Sequence, residues 1–363
     1  SDVPVGVLLS AGLDSSTLAV LASRRIDGLA ALSAGYRGRH SVDERQEARR
    51  TARSLGMEFI DIECDVAQFN SHFEAFVRCC DEPVGDIAAM AQWAIYQQAR
   101  SLGYKVLLSG LGGDELMFGY PRWNLLGQTL AHHEGGLQDH ARIIADSFDA
   151  NLGNLPPALL GGDLAAAADQ ALMPFMQLLD QVPRGPDELT AVLFEGYLVH
   201  NGCQLSDKLG MGCSVEVRVP FLDHRLTEEV FSLPLSRRFQ IGESKPLLRR
   251  MMRGLLPDRL LDGVKQGFAP PPTFIDQMVG VQEDLLLEGK LARSGWLNRC
   301  TLQTILRRSQ AFPWIKHASL RRRLGLGQFS WLRFRILAFE RWYGLLRAST
   351  DSSTAVEPGP MRT

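Results

Sequence analysis

Two short turns in this sequence combine small residues with acids. The first, "LLSAGLDSS" (8–16), follows an apolar run and leads into a helix-like pattern. The second, "VLLSGLGGDE" (106–115), repeats the design of strand, glycine turn, acid and helix. Small residues let backbone N–H groups approach a ligand closely, and a helix N-terminus adds partial positive charge, so such a turn suits phosphate. Asp14 is then informative, because a carboxylate beside phosphates repels them unless a metal lies between. It reads as a Mg2+ ligand or as a plain helix N-cap, and the residues alone leave both readings open. Asp114 closes the second turn, and the two carboxylates would project into one cleft from separate strand ends. Neither G-x-x-x-x-G-K-[ST] nor G-x-G-x-x-G occurs, which argues against a Walker-type site and a dinucleotide-binding fingerprint.

Alternating strand and helix signals must hold these turns in place. Val5–Leu9 reads as a buried strand, 15–25 as a helix, 28–36 as a second strand, and 41–56 as a helix ended by Gly56. Residues 57–63 give a third strand, 88–103 a helix ended by glycine, and 104–110 a fourth strand. Repeated units of this kind predict an α/β fold, a parallel sheet with helices on both faces. In such sheets ligands sit at the carboxyl ends of strands, and both acidic turns follow strands. From about residue 130 the pattern is mostly helical. The expected division is 1–130 as the nucleotide-binding core, 131–348 as a helical extension, and 349–363 as a disordered tail without periodicity.

The totals narrow the class. The chain has 363 residues, 45% hydrophobic and 22% charged, which suffices for a substantial core. A net charge of −2 gives no sign of a nucleic-acid or anionic-membrane partner. The basic pairs and triplets (Arg249-Arg250 and Arg321-Arg322-Arg323) read as solvated helix faces, and His132-His133 as facing water. Six cysteines without a C-x-x-C pair argue against a disulfide framework or a zinc site and fit a reducing cytoplasm. No apolar run approaches the roughly 18 residues of a membrane span. Ser1 leads directly into the first strand, and the expectation is that a segment upstream is missing.

"LLSAGLDSS" resembles the S-G-G-x-D-S pyrophosphate loop of the ATP pyrophosphatase group. "VLLSGLGGDELMFGYPR" (106–122) resembles the S-G-x-G-x-D-E segment of the asparagine synthetase family. "SVEVRVPFLDHRLTEEVFSLP" (214–234) is similar to that family's E-x-R-x-P-F-L-D motif. "SKPLLRRMMRGLLPDRLLDGVKQGFAPPP" (244–272) resembles its helix–L-P–K-x-G-F segment, and "WLRFRILAFERWY" its terminal helix. The resemblance runs in the family's order from residue 3 to about 345. It implies an adenine nucleotide alpha hydrolase-like fold and an ATP-dependent ligase. A carboxylate would attack the α-phosphate of ATP to give an acyl adenylate and pyrophosphate, and an amine would then displace AMP. By the same resemblance Ser10, Gly12, Asp14 and Ser15 form the pyrophosphate loop. Leu8, Ala34, Ser109 and Gly110 contact the adenosine part, Asp14 and Asp114 ligate Mg2+, and Lys265 neutralises the departing pyrophosphate. Glu216, Arg218 and Asp223 read instead as a structural ion-pair and capping set, with "VPFL" as core. Asp81-Glu82-Pro83 faces either substrate or solvent.

The sequence departs from the family in two turns and at its front. Ala11 replaces the loop's usual second glycine, a cost on the order of 1 kcal/mol if that position needs positive φ. Leu111 stands where asparagine synthetases commonly carry an acid that assists the amine, and Glu115 and Asp86 are the candidate substitutes. Relatives such as β-lactam synthetases and lasso-peptide cyclases apply the same adenylation to ring closure, and Leu111 keeps those readings open beside aspartate and ammonia. A non-catalytic nucleotide-binding module is the rival of another class. Glutamine-dependent members carry an N-terminal glutaminase domain beginning with a nucleophilic cysteine. No cysteine precedes the loop here, so this chain alone is expected to need free ammonia. A homodimer is left open.

Overall fold

The computed structural model describes residues 2–37, 44–149, 157–167, 170, 173–182, 186–263, 270–310 and 326–353. Five parallel strands form its sheet: β1 (Val5–Leu8), β2 (Ala30–Tyr36), β3 (Glu58–Cys64), β4 (Val106–Leu108) and β5 (Glu216–Arg218). Their spatial order is β3-β2-β1-β4-β5. The early helices are α1 (Leu13–Ser23), α2 (Arg45–Ser54), α3 (Val66–Arg78) and α4 (Ala88–Ser101). The chain builds outward from β1 to β2 and β3, then returns past β1 to lay β4 on its other side. This reversal opens a crevice between the carboxyl ends of β1 and β4, where open α/β sheets bind ligands.

Alternation along the strands sends successive residues to opposite faces. Val5, Val7, Ala31, Val106 and Leu108 face one core with Leu18, Ala19 and Ala22 of α1 and Ala48 and Ala52 of α2. On β1, Gly6 lies between the neighbouring strands' Leu32 and Leu107, and an added Cβ there would come within 2.5 Å of Leu32 Cδ1. α4 packs against β2 and β3 and against the Gln204–Gly212 helix, which in turn meets β5. Gly56 (φ 67°) and Gly103 (φ 87°) follow α2 and α4 in the left-handed conformation, as the sequence predicts.

The chain divides into two compact units. One comprises 1–65, 88–148 and 169–271 and contains the whole sheet; the other comprises 66–87, 149–168 and 272–363. The second unit is helical. In α3, Phe69, Phe73, Phe76 and Val77 recur at helical spacing and are all buried. Phe69 meets Phe274 edge-on at 5.4 Å, and Phe73 meets Phe334 at 6.2 Å. Phe334 belongs to the terminal helix, Leu326–Ser353. That helix carries five residues of the expected disordered tail, 349–353, in helical conformation; 354–363 lie outside the described residues.

Two further expectations meet the structure here. Arg218 Nε donates to Glu216 Oε1 at 2.7 Å, and Asp223 caps the His224–Ser232 helix by accepting from the Arg225 N–H at 3.0 Å. Both fit a structural set. The "VPFL" core is narrower than expected: Phe221 is buried, but Pro220 is exposed.

Candidate nucleotide site at the sheet's switch point

The first turn is tied together by its own side chains. Ser10 N–H donates to Ser15 Oγ at 3.1 Å, and Gly12 N–H donates to Ser10 Oγ at 3.0 Å. The two hydroxyls lie 2.9 Å apart. Gly12 has an extended backbone (φ −74°, ψ 152°) and precedes α1. Among the described residues only Phe118, Ser214 and Lys245 are non-glycine residues with positive φ, so Ala11 carries no left-handed strain. The missing glycine costs this loop nothing by that route. The Ala11 N–H donates to the Glu44 carboxylate at 3.3 Å.

The second turn is built on closely packed glycines. Gly112 has φ 89°, opening Gly113–Leu116, labelled α5. An added Cβ on Gly113 would come within 2.6 Å of Asp14 Oδ1, and one on Gly110 within 3.1 Å of Asp14 Cβ. The two turns therefore interlock at Asp14, and Gly110 abuts the Ser15 backbone. Leu8 ends β1, Ala34 lies on adjacent β2, and Ser109 follows β4 with its N–H donating to Arg218 O at 2.8 Å. All the expected first-unit site residues thus gather at the strands' carboxyl ends. Lys265 lies outside the described residues.

Asp14 and Asp114 come together on a lysine outside the expected site residues. The Lys245 ammonium pairs with Asp14 Oδ2 and, at 2.8 Å, with Asp114 Oδ1. The lysine side chain is 5% exposed, and the two aspartates 14% and 18%. Burial alone would push the ammonium's pKa down, but the two carboxylates outweigh that and leave it above its ordinary value. The backbone that aims it is unusual. Lys245 has φ 55°, ψ 49° although Pro246 follows, a residue that itself disfavours helical conformations before it. Its N–H donates to Phe118 O at 3.2 Å, and Phe118 also has φ 56°. Two such conformations cost about 1–3 kcal/mol each, and strain of this kind concentrates at working sites. No pattern in "SKPLL" marks this; a lysine before a helix looks solvated until its backbone is seen.

Around this pair, Glu115 is buried and accepts from the Tyr120 hydroxyl at 2.6 Å. Burial foremost, then the Glu115 and Asp114 charges, hold the Tyr120 phenol well above its usual pKa. Leu111 packs near Gly202, whose added Cβ would lie 3.2 Å from Leu111 Cδ1. Asp81 and Glu82 are exposed, in the second unit.

The donor set suits a magnesium ion in its chemistry. Mg2+ is commonly held by one or two carboxylates, with phosphates and water completing its shell. Asp14 and Asp114 already converge on one cation. No group of three His, Cys, Asp or Glu able to hold a metal occurs among the described residues, so the protein supplies only part of a shell.

An open parallel sheet with two interlocked acidic turns at its switch point defines the α/β class of folds whose ligands sit at strand ends. Comparison with known families goes further: the asparagine synthase family model matches residues 1–344, and the chain belongs to that family. Asparagine synthetase [glutamine-hydrolyzing] 3 of Bacillus subtilis (strain 168) is 28% identical, over 72% of this chain and 44% of its own length. Asparagine synthetase [glutamine-hydrolyzing] 1 of the same strain is 26% identical over 75% and 47%. The protein named amidase chry2 of Gibberella zeae is 23% identical over 76% and 50%. The chain spans about half the length of these curated relatives. No helix among the described residues is long and apolar enough to cross a membrane, and no disulfide joins the six cysteines.

Proposed function

We propose that this chain performs ATP-dependent amide-bond formation through an acyl adenylate, with aspartate as the carboxylate and ammonia as the amine. The observation that carries the reading is the convergence of Asp14 and Asp114 at the switch point of a family-member sheet. The Ser10–Ser15 turn and the α1 N-terminus would receive the β- and γ-phosphates. Leu8, Ala34, Ser109 and Gly110 would line the adenosine side. Asp14 and Asp114 would hold a Mg2+ that neutralises the phosphates. Lys265 would face the pyrophosphate as its charge grows on leaving, and Lys245 would add a second fixed positive charge nearby. The chain's own work is to position and neutralise, as is usual for phosphoryl chemistry.

Leu111 favours a second reading, in which the same adenylation serves another carboxylate and amine. Leucine can neither take a proton nor orient ammonia, and the Glu115 carboxylate is engaged by Tyr120. The test is pyrophosphate release from ATP and Mg2+ with ammonium, with and without aspartate. Aspartate-dependent release with asparagine formed supports the first reading. Release that ignores aspartate supports the second, and absence of release from a folded, nucleotide-binding chain counts against both. Glutamate release from glutamine by this chain would overturn the expectation that it needs free ammonia.

A further inference from the structure

A buried ammonium between two carboxylates occupies the place a cation would take. Lys245 pairs with both Asp14 and Asp114, and it is almost wholly shielded from water. Its neighbours leave it little latitude. An added Cβ on Gly119 would overlap Asp114 Oδ1 and lie 2.5 Å from Lys245 Cε. Gly119 N–H donates to Asp114 O at 2.7 Å, and Ser244 Oγ donates to Gly119 O at 3.1 Å, stitching the 114–119 turn to the segment that carries the lysine. The left-handed backbone at Lys245, fixed through the Phe118 carbonyl, is paid for elsewhere in the fold.

We propose that Lys245 is a built-in stand-in for the divalent cation, holding Asp14 and Asp114 together and keeping free metal out until nucleotide arrives. The proposal rests on the amide-forming reading for its metal and nucleotide, and it adds an order of assembly. Two carboxylates and one ammonium sum to −1, so a bare Mg2+ would have to evict a paired ammonium from a dry site while finding only two protein ligands. A nucleotide changes both conditions. Its phosphates supply the missing oxygens for the metal, and they give the displaced ammonium an anion to face.

The test uses Mn2+ as the probe, with the full chain free of nucleotide, and counts bound ion by electron paramagnetic resonance. Wild type should bind no Mn2+ at this site alone and one per chain with α,β-methylene-ATP. Lys245→Met should bind one Mn2+ without nucleotide, about tenfold or more tighter than wild type, and Lys245→Met with Asp114→Asn should lose it. Tight stoichiometric Mn2+ binding by nucleotide-free wild type would overturn the proposal, as would no gain in a folded Lys245→Met chain. If that variant does not fold, the wild-type titration still decides, and Lys245→Gln repeats the gain-of-binding arm. Failure of the amide-forming reading shows separately, as absent pyrophosphate release while the nucleotide-free Mn2+ result stands.

Discussion

Two buried cations, Lys245 and Arg333, keep the same company in different settings. Lys245 lies between Asp14 and Asp114; Arg333, 2% exposed, lies between Asp276 at 3.4 Å and Glu283 at 3.8 Å, with Ser330 Oγ donating to Asp276 at 2.6 Å. Arg333 stands inside the regular terminal helix, and its partners are on or beside helices of the same unit. Burial dominates there and lowers the guanidinium's pKa, whereas the Lys245 ammonium ends above its ordinary value. Charge arrangement alone does not tell these two triads apart. Position at a strand reversal, glycine walls and a strained backbone do.

Substitutions can break this contrast. Asp114→Asn should lower pyrophosphate release about 10²–10³-fold, the usual loss when one electrostatic partner of a reacting charge is removed, with circular dichroism unchanged. Gly119→Ala should lower it about 10²-fold by forcing Asp114 aside; activity near wild type would show that the glycine wall is dispensable. Arg333→Met should instead cost about 2–3 kcal/mol in denaturant unfolding and leave release per folded chain unchanged. This figure is at the low side for a broken buried pair, because Asp276 and Glu283 keep some solvent.

The two smallest effects sharpen the comparison. The Lys245 pKa is raised on folding, so its pairing stabilises fully below the ordinary 10.5 and is lost as pH rises through the higher folded value. The thermal midpoint of wild type should therefore fall more steeply above pH 10.5 than that of Lys245→Met. Ala11→Gly should leave release within about twofold and cost about 0.4–1 kcal/mol through added freedom of the unfolded chain. A gain in activity would mean that the loop does need left-handed backbone there.

Much of the sheet was legible because buried parallel strands are apolar and their helices end in glycine. β1 to β4 and the helices α1, α2 and α4 start and stop within a few residues of the pattern, and Gly56 and Gly103 sit as caps. β5 was not read, although Glu216 and Arg218 carried a clue: an i, i+2 pair shares a face on a strand and not on a helix. α3 is absent from the expected elements despite its phenylalanine stripe, whose partners Phe274 and Phe334 lie more than 200 residues downstream in the second unit. Asp14 and Asp114 were legible from turn chemistry. Lys245 was not, because its place between them depends on a backbone conformation that no residue type in the segment announces.

The placement of β5 also sets a timetable for synthesis. β4 ends at Leu108 and its outer neighbour begins at Glu216, about a hundred residues later. At about 5–20 residues per second a ribosome needs about 5–20 s to deliver that strand. Through that interval the outer edge of β4 has no strand to pair with, a template for any other nascent segment nearby. Both acidic turns thus leave the ribosome well before the strand that seals the sheet beside them.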